Sequence, residues 1–241
     1  MTICETETVH PCYGELFKHF TKIIVASEFC KKVFSRQFPD TEFIVFRAYV
    51  PPVPKCPGVF RTRYVFYHIG NIIDQRKNIN GIIDAFLRLG RPKESVLVLK
   101  ATCVQPVKIS VPGILVINGL LDNEDLEKIH RDCDCYVSFS SSEGIGMGAV
   151  EAAMHDKPVI ITDYGGAPEY IKTPYLVPCG LQAIQADDFL FQKGQLWGRP
   201  SPEKLLEYMG HAFENKVLTC DHSFTRELVS KEEIYKTCPF I

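Results

Sequence analysis

The sequence lacks the features that mark several specialised classes of protein. No apolar run reaches the roughly 18 residues that a membrane-spanning helix needs. The formal net charge is −2, so no basic field favours nucleic acid as a partner. No apolar block stands near the start, where Glu5 and Glu7 are found, so a secretory signal peptide is not predicted. With 46% hydrophobic residues among 241, we expect a globular chain with a sizeable core.

Cysteine is abundant but not clustered. The chain has ten cysteines without a CxxC pair, and the closest two, Cys133 and Cys135, stand where a buried strand is predicted to begin. Metal sites need clustered ligands, and disulfide frameworks belong to small secreted chains. We therefore predict reduced, mostly buried thiols, no metal site and a cytoplasmic location.

Short apolar runs alternate with helical patterns along most of the chain. The runs are continuous, which is typical of strands that are buried on both faces. We predict an α/β fold, a doubly wound, Rossmann-like parallel sheet with helices on each face and ligands at the carboxyl ends of the strands. The predicted strands are 22–26, 42–46, 64–69, 96–100, 114–117, 135–139, 159–162 and 175–177, and the predicted helices are 28–36, 79–89, 123–131, 148–155, a short one near 169, 202–215 and 225–236.

A proline-rich segment is the best candidate for a domain boundary. Pro51, Pro52, Pro54 and Pro57 precede Gly58, a composition that predicts a stiff connector. We therefore expect one unit in residues 1–57 and a second in residues 58–241.

A glycine-rich loop follows one predicted strand and opens a helix. Gly144, Gly146 and Gly148 let the backbone come close to a ligand, and a helix N-terminus favours an anion. Glu143 and Glu151 stand at the two ends, and a carboxylate can accept hydrogen bonds from two neighbouring sugar hydroxyls. The loop therefore predicts an anionic ligand that carries hydroxyls.

Two other interpretations fit this loop. Gly144, Gly146 and Ala149 match the G-x-G-x-x-A dinucleotide fingerprint, but a lone match is weak. The loop also follows a late strand, and Glu143 would crowd a pyrophosphate. Alternatively, the loop is a turn that only lets a helix pack against its strand.

A second loop carries positive charge. Gly70 ends a predicted strand, and Arg76 and Lys77 precede the next helix. Such side chains can neutralise a leaving diphosphate without a metal. Cations at a helix N-terminus oppose the helix dipole, so their presence calls for a reason. A solvated surface pair is the alternative.

The segment SSSEGIGMGAVEA, residues 140–152, resembles the donor site of GT4 retaining glycosyltransferases, which have the GT-B fold. The likeness continues through KPVIIT, residues 157–162, and GGAPE, residues 165–169. It implies transfer of a hexose from a nucleotide-diphosphate sugar with retention, without metal or cofactor. Glu151 would hold the ribose hydroxyls, and Glu143 would contact the transferred sugar. The implied catalytic residues are Glu143, Arg76 and Lys77, and the implied substrate-binding residues are Gly70, Lys100, Gly119, Leu120, Gly144, Ile145, Gly146, Met147, Gly148 and Glu151.

The resemblance extends over residues 3–206 but corresponds to only the second part of a GT-B enzyme. Residues 1–57 resemble the end of the N-terminal domain, and neither His10 nor His19 matches the context of the histidine that the acceptor domain usually carries. We therefore expect a partner chain, a dimer or a further segment to supply the acceptor surface. A nucleotide-sugar-binding module without catalysis and a decayed or truncated enzyme are the alternatives.

Three positions depart from the pattern of the resembled family. Asn71 stands where arginine is frequent, which implies one phosphate contact fewer. Gly148 replaces a frequent proline, and Asp156 replaces a frequent glycine. We expect neither of the last two to abolish binding.

Overall fold

A computed structural model describes residues 2–53, 62–188 and 191–237 of the chain. Strands and helices alternate through these ranges. The strands are β1 (Lys22–Val25), β2 (Glu42–Val45), β3 (Tyr64–Gly70), β4 (Ser95–Ala101), β5 (Ile114–Ile117), β6 (Cys135–Val137), β7 (Val159–Thr162), β8 (Leu176–Val177), β9 (Cys179–Ala183) and β10 (Leu196–Pro200). The helices are α1 (Cys12–Phe17), α2 (Glu28–Gln37), α3 (Ile79–Leu89), α4 (Asn123–Asp132), α5 (Met147–Met154), α6 (Ala167–Tyr170), α7 (Pro202–Glu214), α8 (Ser223–Leu228) and α9 (Lys231–Thr237), and a 3-10 turn spans Gln75–Lys77.

The central sheet has six parallel strands in the order β5-β4-β3-β6-β7-β8. Counted along the chain within this sheet, the order is 3-2-1-4-5-6, the doubly wound arrangement. The predicted fold class is therefore confirmed. The order reverses between β3 and β6, and ligands of such sheets bind beyond the carboxyl ends of the strands at that point.

Both faces of the sheet are covered, which explains the continuous apolar runs. Every residue of β4 is buried. Alternate side chains point to opposite faces, so Leu97 packs with α3 and α7, whereas Val98 packs with α4, α5 and α6. Each face thus has its own hydrophobic cluster.

A smaller unit precedes the proline-rich connector. β1 and β2 form a parallel pair, and α1 and α2 pack against them around Phe17, Phe34 and Phe43. Ser27 Oγ accepts from Cys30 N at 3.2 Å, which caps α2. Pro54, Pro57 and Gly58 lie outside the described residues, so the division at residue 57 stays a prediction.

Three elements differ from the predictions. α1 and the antiparallel β9–β10 hairpin were not predicted; Gly198 and Pro200 in β10 are residues that strand patterns disfavour. The helix predicted for residues 225–236 is two helices, so that prediction was wrong. The break follows from Ser230, whose hydroxyl accepts from Glu233 N at 3.2 Å and caps a new helix.

The described part of the chain has no helix long and apolar enough to span a membrane. None of the eight cysteines in this part forms a disulfide bond. Cys4, Cys30, Cys133 and Cys135 are buried, and Cys12 is exposed.

Candidate functional site

Two loops meet where the strand order of the central sheet reverses. β3 leads into the turn with Arg76 and Lys77, and β6 leads into the loop that contains Glu143. Ser141 N donates to Arg76 O at 2.7 Å, which joins the two loops through their backbones. The two segments singled out in the sequence, 65 or more residues apart, are thus neighbours because their strands pair.

The three predicted catalytic residues form one ion cluster. Lys77 Nζ lies 2.5 Å from Glu143 Oε1, and Arg76 Nη1 lies 3.3 Å from Glu143 Oε2. Ser140 Oγ also donates to Glu143 Oε1 at 2.7 Å, and Arg76 Nη1 donates to Ser142 O at 2.9 Å. The side chains of Arg76, Lys77 and Glu143 are each only 13–15% exposed. The cluster therefore lies in a largely desolvated place.

Two carboxylates that the sequence analysis missed complete the cluster. Asp74 Oδ2 lies 3.1 Å from Arg76 Nη2, and Asp74 Oδ1 accepts from Arg76 N at 2.9 Å, which caps the 3-10 turn. Glu5 Oε1 lies 3.0 Å from Arg76 Nη1 and accepts from Gly144 N at 3.3 Å. The position of Asp74 two residues before an arginine is a local signal for the first contact. No local signal exists for Glu5, which is distant in sequence.

Burial and pairing oppose each other in this cluster. For Glu143, burial favours the neutral form, but Lys77 and Arg76 outweigh it and hold the pKa below its usual value. For Glu5, burial dominates over the attraction of Arg76, so its pKa is raised. Burial also disfavours the charged guanidinium of Arg76, but its three carboxylate partners raise the pKa of Arg76 above its usual value. Arg76 is therefore a permanent cation.

Neighbouring protein atoms occupy the space that side chains at the glycines of the loop would need. Gly146 has φ +79°, a conformation that favours glycine, and it precedes α5 without a side-chain cap. A Cβ at Gly144 would lie 2.9 Å from Ile3 Cβ, and one at Gly148 would lie 2.5 Å from Tyr136 Oη. Among the described residues no side chain caps the first turn of α5, and the missing glycine side chains make room for packing.

The two apolar residues between these glycines differ in exposure. Ile145 is half-buried against the hydrophobic cluster on the α5 face of the sheet. Met147 is exposed at the start of α5. The loop follows the fourth strand of the sheet in chain order, whereas the dinucleotide fingerprint follows the first, which argues against that alternative.

Glu151 lies apart from the ion cluster, in a different setting. Its side chain is 43% exposed, and its Oε2 lies 3.6 Å from His130 Nε2. His130 Nδ1 contacts Tyr67 Oη at 2.9 Å, and its ring stacks on His155 with centroids 5.3 Å apart. Glu151, His130 and His155 border a cavity of about 210 Å³ whose other walls include residues 50–53 and the first turns of α4. His130 has no signal in the sequence that distinguishes it from other histidines.

His68 is a second buried histidine that the sequence analysis missed. It lies on β3, and its Nδ1 donates to Val137 O at 2.8 Å. Burial lowers the pKa of His68 to about 4, so the ring is neutral and Nε2 is an acceptor. Nε2 has no hydrogen-bond partner among the described residues. A Cβ at Gly70 would lie 2.8 Å from this atom, so the glycine makes room for the ring.

The other three predicted residues lie at the end of β4 and in the loop after β5. Lys100 is buried, and its Nζ donates to Ala101 O at 2.5 Å and Gly119 O at 2.7 Å. This tie holds the loop after β5 against the end of β4. Gly119 has φ +88°, and Leu120 is 98% exposed. Their implied role in substrate binding stays a prediction.

A larger cavity lies elsewhere. It has a volume of about 530 Å³ between α4 and the strands β3, β4 and β5, and its walls include Val96, Val98 and Leu115 as well as charged side chains such as Lys128. Neither the ion cluster nor Glu151 borders it. The loops that follow β3 and β6 contribute none of its lining residues, so the candidate site does not lie there.

Comparison with known families gives a match to part of the chain. Residues 114–186 match the family described as glycosyl transferases group 1. This segment contains the glycine-rich loop with Glu143 and Glu151, but not Arg76 and Lys77. A search of curated protein sequences found no significant match.

Solved structures share the fold across nearly all of the chain. The pneumococcal O-GlcNAc transferase GtfA, in complex with UDP and GlcNAc, has a TM-score of 0.68 at 13% identity, over 97% of this chain and 50% of its own. The GtfA/B complex gives 0.66 at 16%, over 93% and 46%. An α,α-trehalose-phosphate synthase (UDP-forming) from Burkholderia xenovorans gives 0.67 at 10%, over 94% and 62%. The chain therefore has the Rossmann-like architecture of GT-B proteins, and spans about half to three fifths of the length of these structures.

Proposed function

We propose that the chain binds a nucleotide-diphosphate sugar and transfers its hexose to an acceptor with retention, as a GT4-type enzyme. The observation that carries the proposal is the joining of Arg76, Lys77 and Glu143 beyond the carboxyl ends of β3 and β6. The match of residues 114–186 to the group 1 transferases supports it. The proposed chemistry needs no metal or further cofactor.

Arg76 and Lys77 are proposed to stabilise the leaving diphosphate. When the bond between the anomeric carbon and the phosphate oxygen breaks, the oxygen takes the electron pair and gains charge. Two cations in a largely desolvated place stabilise that charge more strongly than they would in water. The acceptor oxygen then bonds to the anomeric carbon from the same face, and its proton passes to the departing phosphate. No side chain acts as a nucleophile in this scheme.

Glu143 and Glu151 are proposed to hold the two ends of the donor. Glu143 accepts hydrogen bonds from hydroxyls of the hexose once these replace part of its contact with Lys77. Glu151 accepts from the ribose hydroxyls, and the adjoining cavity beside His130 takes part of the nucleoside. With Tyr67 donating to His130 Nδ1, the opposite nitrogen carries a proton that faces Glu151 and orients it.

A thermal-shift screen tests donor binding. The ligands are UDP-, GDP- and ADP-sugars, with NAD as the rival ligand and EDTA in all samples. A ligand at about 100 times its dissociation constant stabilises the fold by about 2.7 kcal/mol, so a shift is easily measured. A shift with one sugar nucleotide supports the proposal. A shift with NAD alone, or no shift with any ligand, contradicts it.

Matched variants connect the binding to the site. Glu143→Gln and Glu151→Ala should each weaken sugar-nucleotide binding. Glu15→Gln is the control, because Glu15 forms an ion pair of 2.6 Å with Lys18 on the surface. Equal affinities in all three variants would remove both glutamates from the site.

A nucleotide-sugar-binding module without turnover is the second candidate function. The chain spans about half of the length of two of the solved structures that it resembles. We propose that the acceptor surface comes from a partner chain, a second copy or a further segment, and that the protein works in a reducing cytoplasm. Release of nucleoside diphosphate from the bound donor, measured with the isolated chain and acceptor sugars, distinguishes the two functions.

A further inference from the structure

Residues 2–9 form a strap that runs across the glycine-rich loop. At one end, Thr2 N donates to Ile24 O at 2.9 Å and ties the strap to β1. At the other end, Glu7 N donates to Leu196 O at 2.9 Å and ties it to β10. The strap is therefore held at two points on either side of the loop.

Between these ties, the strap covers the start of the loop. Ile3 packs so closely on Gly144 that a Cβ at Gly144 would lie 2.9 Å from Ile3 Cβ. Glu5 Oε1 lies 3.0 Å from Arg76 Nη1 and 3.3 Å from Gly144 N. The side chain of Glu5 is only 11% exposed. A carboxylate thus occupies the space above a guanidinium and a backbone N–H group at once.

These two donors are of the kind that a phosphate oxygen takes. An arginine fork and a backbone N–H of a glycine-rich loop are frequent partners of phosphate, as they are of carboxylate. Glu5 Oε1 fills the position that lies about 3 Å from both Arg76 Nη1 and Gly144 N, so a phosphate oxygen can take that position only after Glu5 has left it. Glu5 and a diphosphate therefore compete for the same place.

The formal charge of the ion cluster also favours displacement of a carboxylate by a diphosphate. Arg76 and Lys77 face three carboxylates, those of Glu5, Asp74 and Glu143, so the formal charge of the cluster is −1. A diphosphate that entered this arrangement unchanged would meet net repulsion. Asp74 caps its own turn, and Glu143 is held by two cations and by Ser140. Glu5 lies at the centre of the strap, and its partners Arg76 and Gly144 are both distant in sequence. Glu5 is therefore the carboxylate with the fewest contacts to residues near it in the chain.

We propose that Glu5 is a residue of the donor site whose carboxylate occupies a phosphate position in the ligand-free protein. The diphosphate displaces it from Arg76 and from Gly144 N, so Glu5 lowers the affinity for the diphosphate. This inference rests on the proposed function of the same site.

The test compares wild type, Glu5→Gln and Glu7→Gln by titration calorimetry. Inorganic pyrophosphate is the first probe because it needs no assumption about the base, and UDP, GDP, ADP and their monophosphates follow. Glu7 is the matched control in the same strap, since its carboxylate accepts from Tyr164 Oη at 3.0 Å and does not contact Arg76. Thermal unfolding verifies that each variant is folded, and Glu5→Ala replaces Glu5→Gln if the latter does not fold.

Glu5→Gln should bind pyrophosphate and one nucleoside diphosphate at least about tenfold more tightly than wild type, which equals about 1.4 kcal/mol. Its affinity for the monophosphate should change less than that for the diphosphate, and Glu7→Gln should bind as wild type does. If the folded Glu5 variant binds the diphosphate only as tightly as wild type, or more weakly, the inference is overturned, while the proposed binding of the donor still stands. If wild type and all variants bind none of these ligands, the proposed function fails and the inference fails with it.

Discussion

Gly148→Ala should destabilise the protein because Tyr136 occupies the space that the methyl group needs. A Cβ at Gly148 would lie 2.5 Å from Tyr136 Oη, 3.2 Å from its Cζ and 3.3 Å from Ile69 O. Tyr136 is buried, and its hydroxyl donates to Ile69 O at 3.3 Å, so the ring cannot turn aside freely. The same contact explains why glycine stands where the resembled family often has proline, which also carries a Cβ.

The size of the effect follows from two opposing contributions. Overpacking in a close-packed core costs about 1–3 kcal/mol. Alanine in a helix gains about 0.5–1 kcal/mol over glycine. We therefore expect Gly148→Ala to lose about 1–2 kcal/mol of unfolding free energy. Tyr136→Phe removes the clashing oxygen at the cost of one hydrogen bond, about 0.5–1.5 kcal/mol.

A double-mutant cycle by urea unfolding measures this coupling. In the Tyr136→Phe background, Gly148→Ala should be close to neutral, which gives a coupling of about 1–2 kcal/mol between the two sites. Gly210→Ala is the matched control: Gly210 lies inside α7, where a Cβ would be 3.9 Å from Leu89 Cδ1, and it should gain stability. Additive losses within about 0.5 kcal/mol, or a Gly148→Ala protein as stable as wild type, would refute the reasoning.

Three further variants test other features. Asp156 has φ +57° and pairs with Arg226, so Asp156→Ala should lose about 1–3 kcal/mol in urea unfolding. Asp156→Gly should lose less, because glycine tolerates this conformation better than alanine does, and the reverse order would contradict this. Burial lowers the pKa of His68 from 6.5 to about 4, so its neutral ring contributes stability above pH 6.5 that falls away between pH 6.5 and 4, by up to about 3 kcal/mol. The difference in unfolding free energy between wild type and His68→Asn should therefore narrow as the pH falls through that interval. Parallel curves of unfolding free energy against pH for the two proteins would count against this prediction. Lys100→Met leaves the carbonyl of Gly119 without its donor and should cost about 1–3 kcal/mol, with faster amide hydrogen exchange in residues 118–121; unchanged exchange would speak against the tie.

The central sheet was predictable because most residues of its strands are apolar and each run is short. Ile114–Ile117 and Val159–Thr162 begin and end where the sequence places them. The β9–β10 hairpin was not, because its pairing depends on tertiary contacts: Gly198 N donates to Ser141 O at 2.8 Å, which ties a strand of weak propensity to the site.

The site was predictable to the extent that it follows the strands. Arg76 and Glu143 could be brought together from sequence because parallel neighbours end at the same edge of a sheet. Glu5 and His130 could not, since their contacts join segments that neither periodicity nor spacing connects. In the sequence, Glu143 and Glu151 stand at the two ends of the same glycine-rich loop. In the structure, Glu143 is paired with cations, whereas Glu151 lies beside a histidine.

The reversed strand order has a consequence for how the chain folds. β3 and β6 are neighbours, yet β4, β5 and two helices lie between them in the chain, so their pairing closes a long loop. Closing such a loop is costly in entropy, and contacts of this range form slowly compared with helices. The ion cluster can exist only after that closure. A chain arrested earlier would keep much of its helical content and have no anion site, so recovery of diphosphate binding during refolding marks the moment at which the centre of the sheet closes.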